Sequence, residues 1–169
     1  MSLSIYQASV PLFIQMLGGL SSVLQKAEVH AADKKIDPSV LLQSRLFPDM
    51  FALTRQVQIA ADFAKGGAAR LAGVDVPAYE DTEASFADLQ ARIAKTLAFI
   101  QSLPAADIEA GADRSIVLRA GTPKEKTFVG SSYLLNYTLP HFFFHTTTAY
   151  NILRHNGVEI GKNDFVGTW

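Results

Sequence analysis

Apolar residues recur every three or four positions over most of the chain, and the breaks between them mark four long helical stretches. Over residues 4–32, Ile5, Tyr6, Val10, Phe13, Ile14, Leu17, Leu20 and Leu24 trace one helical face. Pro11 falls inside that stretch, where its missing N–H predicts a kink, and Gly18-Gly19 either weakens the helix or admits a close neighbour. A bundle favours the second reading. Asp37-Pro38 is a helix start, an acidic cap followed by proline at the first helical position, opening a short segment towards Phe47. Pro48 and Asp49 restart the chain, and Met50, Leu53, Val57, Ala60, Ala61 and Ala64 carry a second helix to Leu71, just before Gly73. Residues 74–81, with Pro77, read as a loop. Thr82 or Ser85 then caps a third helix whose inner face is Phe86, Leu89, Ile93, Leu97 and Ile100, closed by Pro104.

The period changes after residue 105. Ser115-Ile116-Val117-Leu118 and Lys126-Thr127-Phe128-Val129 are short strand-like runs around Ala120-Gly121-Thr122-Pro123, which predicts a β-hairpin packed on the end of the bundle. Ser131 or Ser132 caps a fourth helix running from Tyr133 to His155, with Asn156-Gly157 as its stop. Pro140 lies inside it and frees the carbonyl of Asn136, so a bend is expected just before His141. Residues 158–169 form a tail with two large anchors, Phe165 and Trp169, suited to docking on the bundle or to a dimer contact. No repeat or linker divides the chain. The expectation is one domain over residues 1–169, an all-α four-helix bundle with a small β-hairpin before the last helix, its site lying between facing helices.

Composition narrows the function. With 49% hydrophobic and 18% charged residues the chain has material for a real core. Its 15 Lys plus Arg against 16 Asp plus Glu leave a net charge of -1, so no basic field draws it to nucleic acid. There is no cysteine, hence no disulfide, no thiolate nucleophile and no sulfur ligand; any metal is held by nitrogen and oxygen. No basic leader region and no run of ~20 apolar residues is present, which points to a soluble cytoplasmic protein without a membrane span.

The candidate chemistry is concentrated in the fourth helix. His141 and His145 are four apart, so on a helix both imidazoles share a face and can reach one point, which is metal-ligand spacing. Phe142 stands where a zinc peptidase helix carries its glutamate base, and this excludes that enzyme class. His155 is fourteen residues beyond His141, roughly 21 Å along the axis, too far to join. His30 suits a helix end, where a cation meets the dipole. On the second helix Arg55, Gln58 and Asp62 form a polar line beside the apolar face. Either it is a solvated edge on which Asp62 pairs with Lys65 or Arg55, or Gln58 and Asp62 turn inward to the histidine pair. Phe142, Phe143 and Phe144 read as core or a dimer seam, and Tyr133, Tyr137 and Tyr150 as core residues or proton donors in a pocket.

The segment around Gln58-Ile59-Ala60-Ala61-Asp62, with Leu139-Pro140-His141-Phe142-Phe143-Phe144-His145 and Leu153-Arg154-His155-Asn156-Gly157, resembles the DinB/YfiT-like superfamily of four-helix bundles, in a subfamily of uncharacterised bacterial proteins known only as a domain of unknown function. The resemblance spans essentially the whole chain. It implies that His141 and His145 are the two metal ligands the last helix supplies in that superfamily. The third histidine of the pattern is replaced by Gln58, a weak ligand, and Asp62 one turn along would restore a two-histidine, one-carboxylate set for Zn, Ni, Fe or Mn. The resemblance also implies a homodimer, and relatives that include metal-dependent thiol transferases and hydrolases of small molecules. Two functions follow as expectations: a metal-dependent enzyme acting on a small molecule, or a non-catalytic dimeric bundle with a vestigial metal site that binds an apolar ligand or a protein partner.

Overall fold

The structure is a computed structural model that describes residues 4–168. Its long helices are α1 (Val10–Lys34), α3 (Leu53–Ala72), α4 (Phe86–Gln101) and α7 (Leu139–His155), and they form the four-helix bundle expected. Short helices α2 (Pro38–Leu42), α5 (Ala105–Glu109) and α8 (Lys162–Val166) decorate it. Strands β1 (Ser115–Leu118) and β2 (Lys126–Val129) pair antiparallel with Ser115 opposite Val129 and Leu118 opposite Lys126. From β2 the chain passes through α6 (Gly130–Ser132) and a π-helical turn, Tyr133–Thr138, directly into α7. No helix among the described residues is long and apolar enough to cross a membrane.

Local chemistry accounts for most boundaries. Asp37 accepts the amide hydrogen of Ser39 at the start of α2, and Ser85 and Asp88 form a reciprocal capping box at the start of α4, so Ser85 and not Thr82 is the cap. Gly73 ends α3 in the left-handed region, as a helix C-terminus favours. Pro11 does not kink α1, because the helix begins at Val10 and proline sits in its first turn, where its missing N–H costs nothing. The second long helix starts at Leu53 and not at Met50, leaving Phe51 exposed on the connection from α2. The tail docks. Gly19 of α1 passes so close to α8 that a Cβ there would lie 2.6 Å from the carbonyl oxygen of Phe165, while Phe165 packs on Tyr150 and Lys26 pairs with Asp164 at 2.6 Å. Trp169, the other anchor expected, lies outside the described residues.

The core sits where α3 crosses α7 and the π turn. Phe13 of α1 meets Phe142 of α7 edge-to-face at 5.0 Å, both fully buried, and burying such a ring contributes about 1.5–3 kcal/mol. The facing side of α3 is built from small residues, Ala60, Ala64, Gly67 and Ala68, all buried. A Cβ on Gly67 would stand 2.6 Å from Cγ2 of Thr138 and 3.5 Å from the Phe13 ring.

The loop from α3 to α4, residues 74–85, is tied down by one buried arginine. Arg92 of α4 pairs with Asp62 at 2.9 Å, Asp81 at 3.0 Å and Glu83 at 2.8 Å, and it donates to the Glu80 carbonyl at 3.2 Å. Tyr79 lies among three cations, with Lys65 Nζ 3.6 Å and Lys95 Nζ 4.2 Å from its ring centre and Arg92 beyond at 5.4 Å. Burial pushes the Glu83 carboxyl up, but the hydrogen bonds from Arg92 and Gln58 outweigh it and hold the pKa below the usual range.

Two predictions follow from this packing. Gly67→Ala forces a methyl group into Thr138 and Phe13, so stability falls by about 1–3 kcal/mol despite the ~1 kcal/mol alanine gains in helix propensity; urea unfolding measures it, and an unchanged midpoint would show that the crossing has room. Because the folded pKa of Glu83 is depressed, its stabilisation is present above the ordinary glutamate range and is lost as pH falls through the lower folded value. Amides of residues 74–85 are expected to exchange faster on acidification before the bundle opens, and Glu83→Gln to remove that acid sensitivity. Equal sensitivity in the variant assigns the acid limb to another group.

Candidate functional site

Tyr133, Tyr137, His141 and His145 recur every four residues along the last helix. In a regular α-helix each four-residue step overshoots a full turn by about 40°, so such a stripe winds off its face. The π turn is wider: the amide of Leu139 donates to Leu134, five residues back. It ends at Thr138, just before Pro140, which has no N–H to give back to the carbonyl of Asn136. A widened turn thus stands just ahead of Pro140, where a bend was expected, and it helps keep the stripe together. Tyr133 and Tyr137 stack at 5.9 Å, Tyr137 and His141 stand 4.4 Å apart, and Phe63 of α3 lies nearly parallel to His141 at 4.7 Å and to His145 at 6.0 Å.

The hydrogen-bond partners assign a tautomer to each imidazole. Nδ1 of His141 lies 2.7 Å from the carbonyl oxygen of Tyr137, which only accepts, so Nδ1 carries the hydrogen. Nδ1 of His145 lies 2.7 Å from Oε1 of Gln56. The Gln56 amide is oriented by its own bond, Nε2 donating to the Phe51 carbonyl at 3.0 Å, so its oxygen faces the imidazole and Nδ1 of His145 is again the donor. In the neutral ring Nε2 is then the nitrogen with the lone pair, and neither Nε2 has a hydrogen-bond partner among the described residues. Burial, then the neighbouring His141 and Arg55, lowers the pKa of His145 to about 4, so it is neutral at pH 7. His141 is exposed.

Gln58 and Asp62 do not join them. Gln58 donates to Glu83 at 2.7 Å and accepts from Arg55 at 3.1 Å. Asp62 pairs with Lys65 and Arg92, each at 2.9 Å. The side of α3 that carries Gln58 and Asp62 packs on α4 and the Arg92 network, while Gln56 and Phe63 meet α7. Among the described residues no cluster of three or more His, Asp or Glu stands ready to hold a metal. Gln56 was missed from the sequence, although a signal existed: a glutamine between Leu53 and Ala60 on a face that is otherwise apolar must be buried, and a buried amide needs partners. Of the three phenylalanines, Phe142 is core, Phe143 is half-buried and Phe144 is 56% exposed beside His145.

Next to the histidines a cavity of about 450 Å³ opens between α3, residues 76–79, the end of β1 and the π turn. Phe63 and Tyr137 belong both to its wall and to the aromatic column over His141. Tyr133 also lines it, whereas Tyr150 packs away from it against Phe165.

The Gln56 contact makes a prediction. Gln56→Leu removes the acceptor of a buried N–H, so stability falls by about 1–3 kcal/mol and the His145 ring loses its single tautomer. Nitrogen-15 imidazole shifts read this directly, and an unchanged Nδ1–H signature would show that Gln56 does not set it.

No curated protein matches the chain. A crystal structure of a DinB family member protein from Shewanella denitrificans superposes with a TM-score of 0.91 at 42% identity, over 97% of this chain and 92% of that one. The family described as a domain of unknown function, DUF1993, matches residues 5–166. With its bundle, its hairpin and a match over nearly its whole length, the chain belongs to this DUF1993 family of DinB-like proteins.

Proposed function

We propose that the protein is a metal-dependent enzyme acting on a small molecule, with His141 and His145 holding one divalent cation through their Nε2 atoms. The observation that carries this reading is the pair of tautomers. A histidine that binds metal through one nitrogen almost always donates the other ring N–H to a carbonyl or carboxylate oxygen, and both do so here, to Tyr137 and to Gln56. The two imidazoles suit Zn, Ni, Fe or Mn, but Gln58 and Asp62 are committed elsewhere, so the remaining coordination positions fall to water or substrate and affinity is modest. A divalent ion bound there supplies Lewis acidity to a molecule in the adjoining cavity.

The chain's own residues prepare that role. Gln56 fixes the ring of His145, and burial keeps the imidazole neutral, so no proton competes for its lone pair at pH 7. Phe63 covers one side of both rings, and Phe63 and Tyr137 also line the cavity, so a molecule bound there would lie near the histidines.

The absence of a third His, Asp or Glu among the described residues favours a second reading, a metal-free bundle in which the pair is vestigial. Elemental analysis of untagged protein grown with nickel, zinc, iron and manganese separates the two. The metal reading expects near-stoichiometric metal in the wild type, lost in both His141→Ala and His145→Ala with the helical signal intact. No metal in the wild type, with variants that are merely less stable, leaves the second reading.

A further inference from the structure

The cavity beside the histidine column contains two cations that no carboxylate neutralises. Three basic residues line it, Lys65, Arg70 and Arg119, against a single acid, Asp62. Asp62 is spent on Lys65 and Arg92. Arg70 and Arg119 make no ion pair among the described residues, so two positive charges face the cavity without a counter-charge.

Arg70 is nevertheless held in place. Its Nη1 donates to the Gly66 carbonyl at 3.2 Å and to the Tyr133 hydroxyl at 3.1 Å, and that hydroxyl is itself 3.4 Å from the Gly66 carbonyl as a donor. Tyr133 is 1% exposed, so the support is rigid and uncharged. Neutral partners orient a guanidinium without cancelling its charge, which is the condition for receiving an anion. Gly66 is part of the arrangement: a Cβ there would lie 2.6 Å from Nη1 of Arg70, so only glycine lets the guanidinium rest against α3. Arg119 lines the cavity from the hairpin turn, in the left-handed region at φ 54, with its carbonyl accepting from the amide and hydroxyl of Thr122. Most of the other lining residues are apolar or aromatic, among them Phe63, Val76, Pro77, Leu118 and Tyr137.

We propose that this cavity is a binding site for a small organic anion with an aromatic or short apolar body, its charge on Arg70 and Arg119 and its body against Phe63, Val76 and Leu118. A volume of about 450 Å³ accommodates one such molecule. The site stands whether or not the histidine pair holds a metal, since neither arginine depends on that pair.

The test is calorimetric titration of the full chain, in EDTA, with benzoate and phenyl phosphate as anionic probes and benzamide as the neutral counterpart of benzoate. Saturable binding of at least one anionic probe is expected, with benzamide about tenfold or more weaker. Losing a charge-assisted bond should cut affinity about 10–100-fold in Arg70→Gln and in Arg119→Gln. Gly66→Ala is the sharpest arm. Its methyl group meets only the tip of a flexible side chain, so the melting temperature holds or rises while affinity falls with that of Arg70→Gln. No saturable binding of either anion overturns the proposal, as does binding that benzamide equals or that all three variants leave unchanged. Because EDTA is present throughout, metal content and anion binding fail or succeed separately.

Discussion

The last helix cannot run as an uninterrupted α-helix, because Pro140 has no N–H to give to Asn136. A proline in that position costs a hydrogen bond and crowds the preceding turn, and the chain answers by widening that turn so that Leu139 bonds back to Leu134. The site depends on this defect. Four side chains spaced by four residues stay on one face, so Tyr133 and Tyr137 reach the cavity while His141 and His145 lie under Phe63. An uninterrupted α-helix would carry the two ends of that stripe apart, and the cavity wall would separate from the histidines.

A wide turn needs room, and α3 provides it by having almost no side chain where the two meet. Gly67 takes the methyl group of Thr138, and Gly66 takes the guanidinium of Arg70. These neighbouring glycines do different work. One makes room for the Thr138 methyl group and the Phe13 ring in the core, where an added methyl has no escape; the other clears a place for a charged group at the edge, where a side chain is able to move. Helix propensity alone argues against both, by about 1 kcal/mol each, and packing overrides it at both.

The elements were legible because apolar spacing and capping chemistry are local. The hairpin lies where the strand-like runs placed it, Ser85 caps α4, and the docked tail explains Gly19. What escaped was set by tertiary context. Pro11 reads as a kink until the helix is seen to begin at Val10. Gln58 and Asp62 share a helix line that faces either neighbour equally well on paper, and only the position of Arg92 on α4 decides that they turn away from the histidines. Gln56 is one residue from Val57 and belongs to the buried face, yet its partner is 89 positions away in the sequence, a distance no periodicity spans. The arginine cavity is less legible still, since Arg119 reaches it from the hairpin and Arg70 from α3.

Charge placement completes the logic of the site. The chain is nearly neutral overall, at -1, which says that no long-range field gathers ligands. Neutrality of the whole hides a local division. Asp62, Asp81 and Glu83 converge on Arg92, and burial of that guanidinium makes the carboxylates indispensable there, since a buried charge without a partner costs several kcal/mol. Asp62 also lines the cavity, but its charge is already spent on Lys65 and Arg92. The pairing of Asp62 with Lys65 and Arg92 keeps it from the histidine pair and also leaves Arg70 and Arg119 without a carboxylate, so one commitment accounts for both the incomplete ligand set and the positive charge of the cavity beside it.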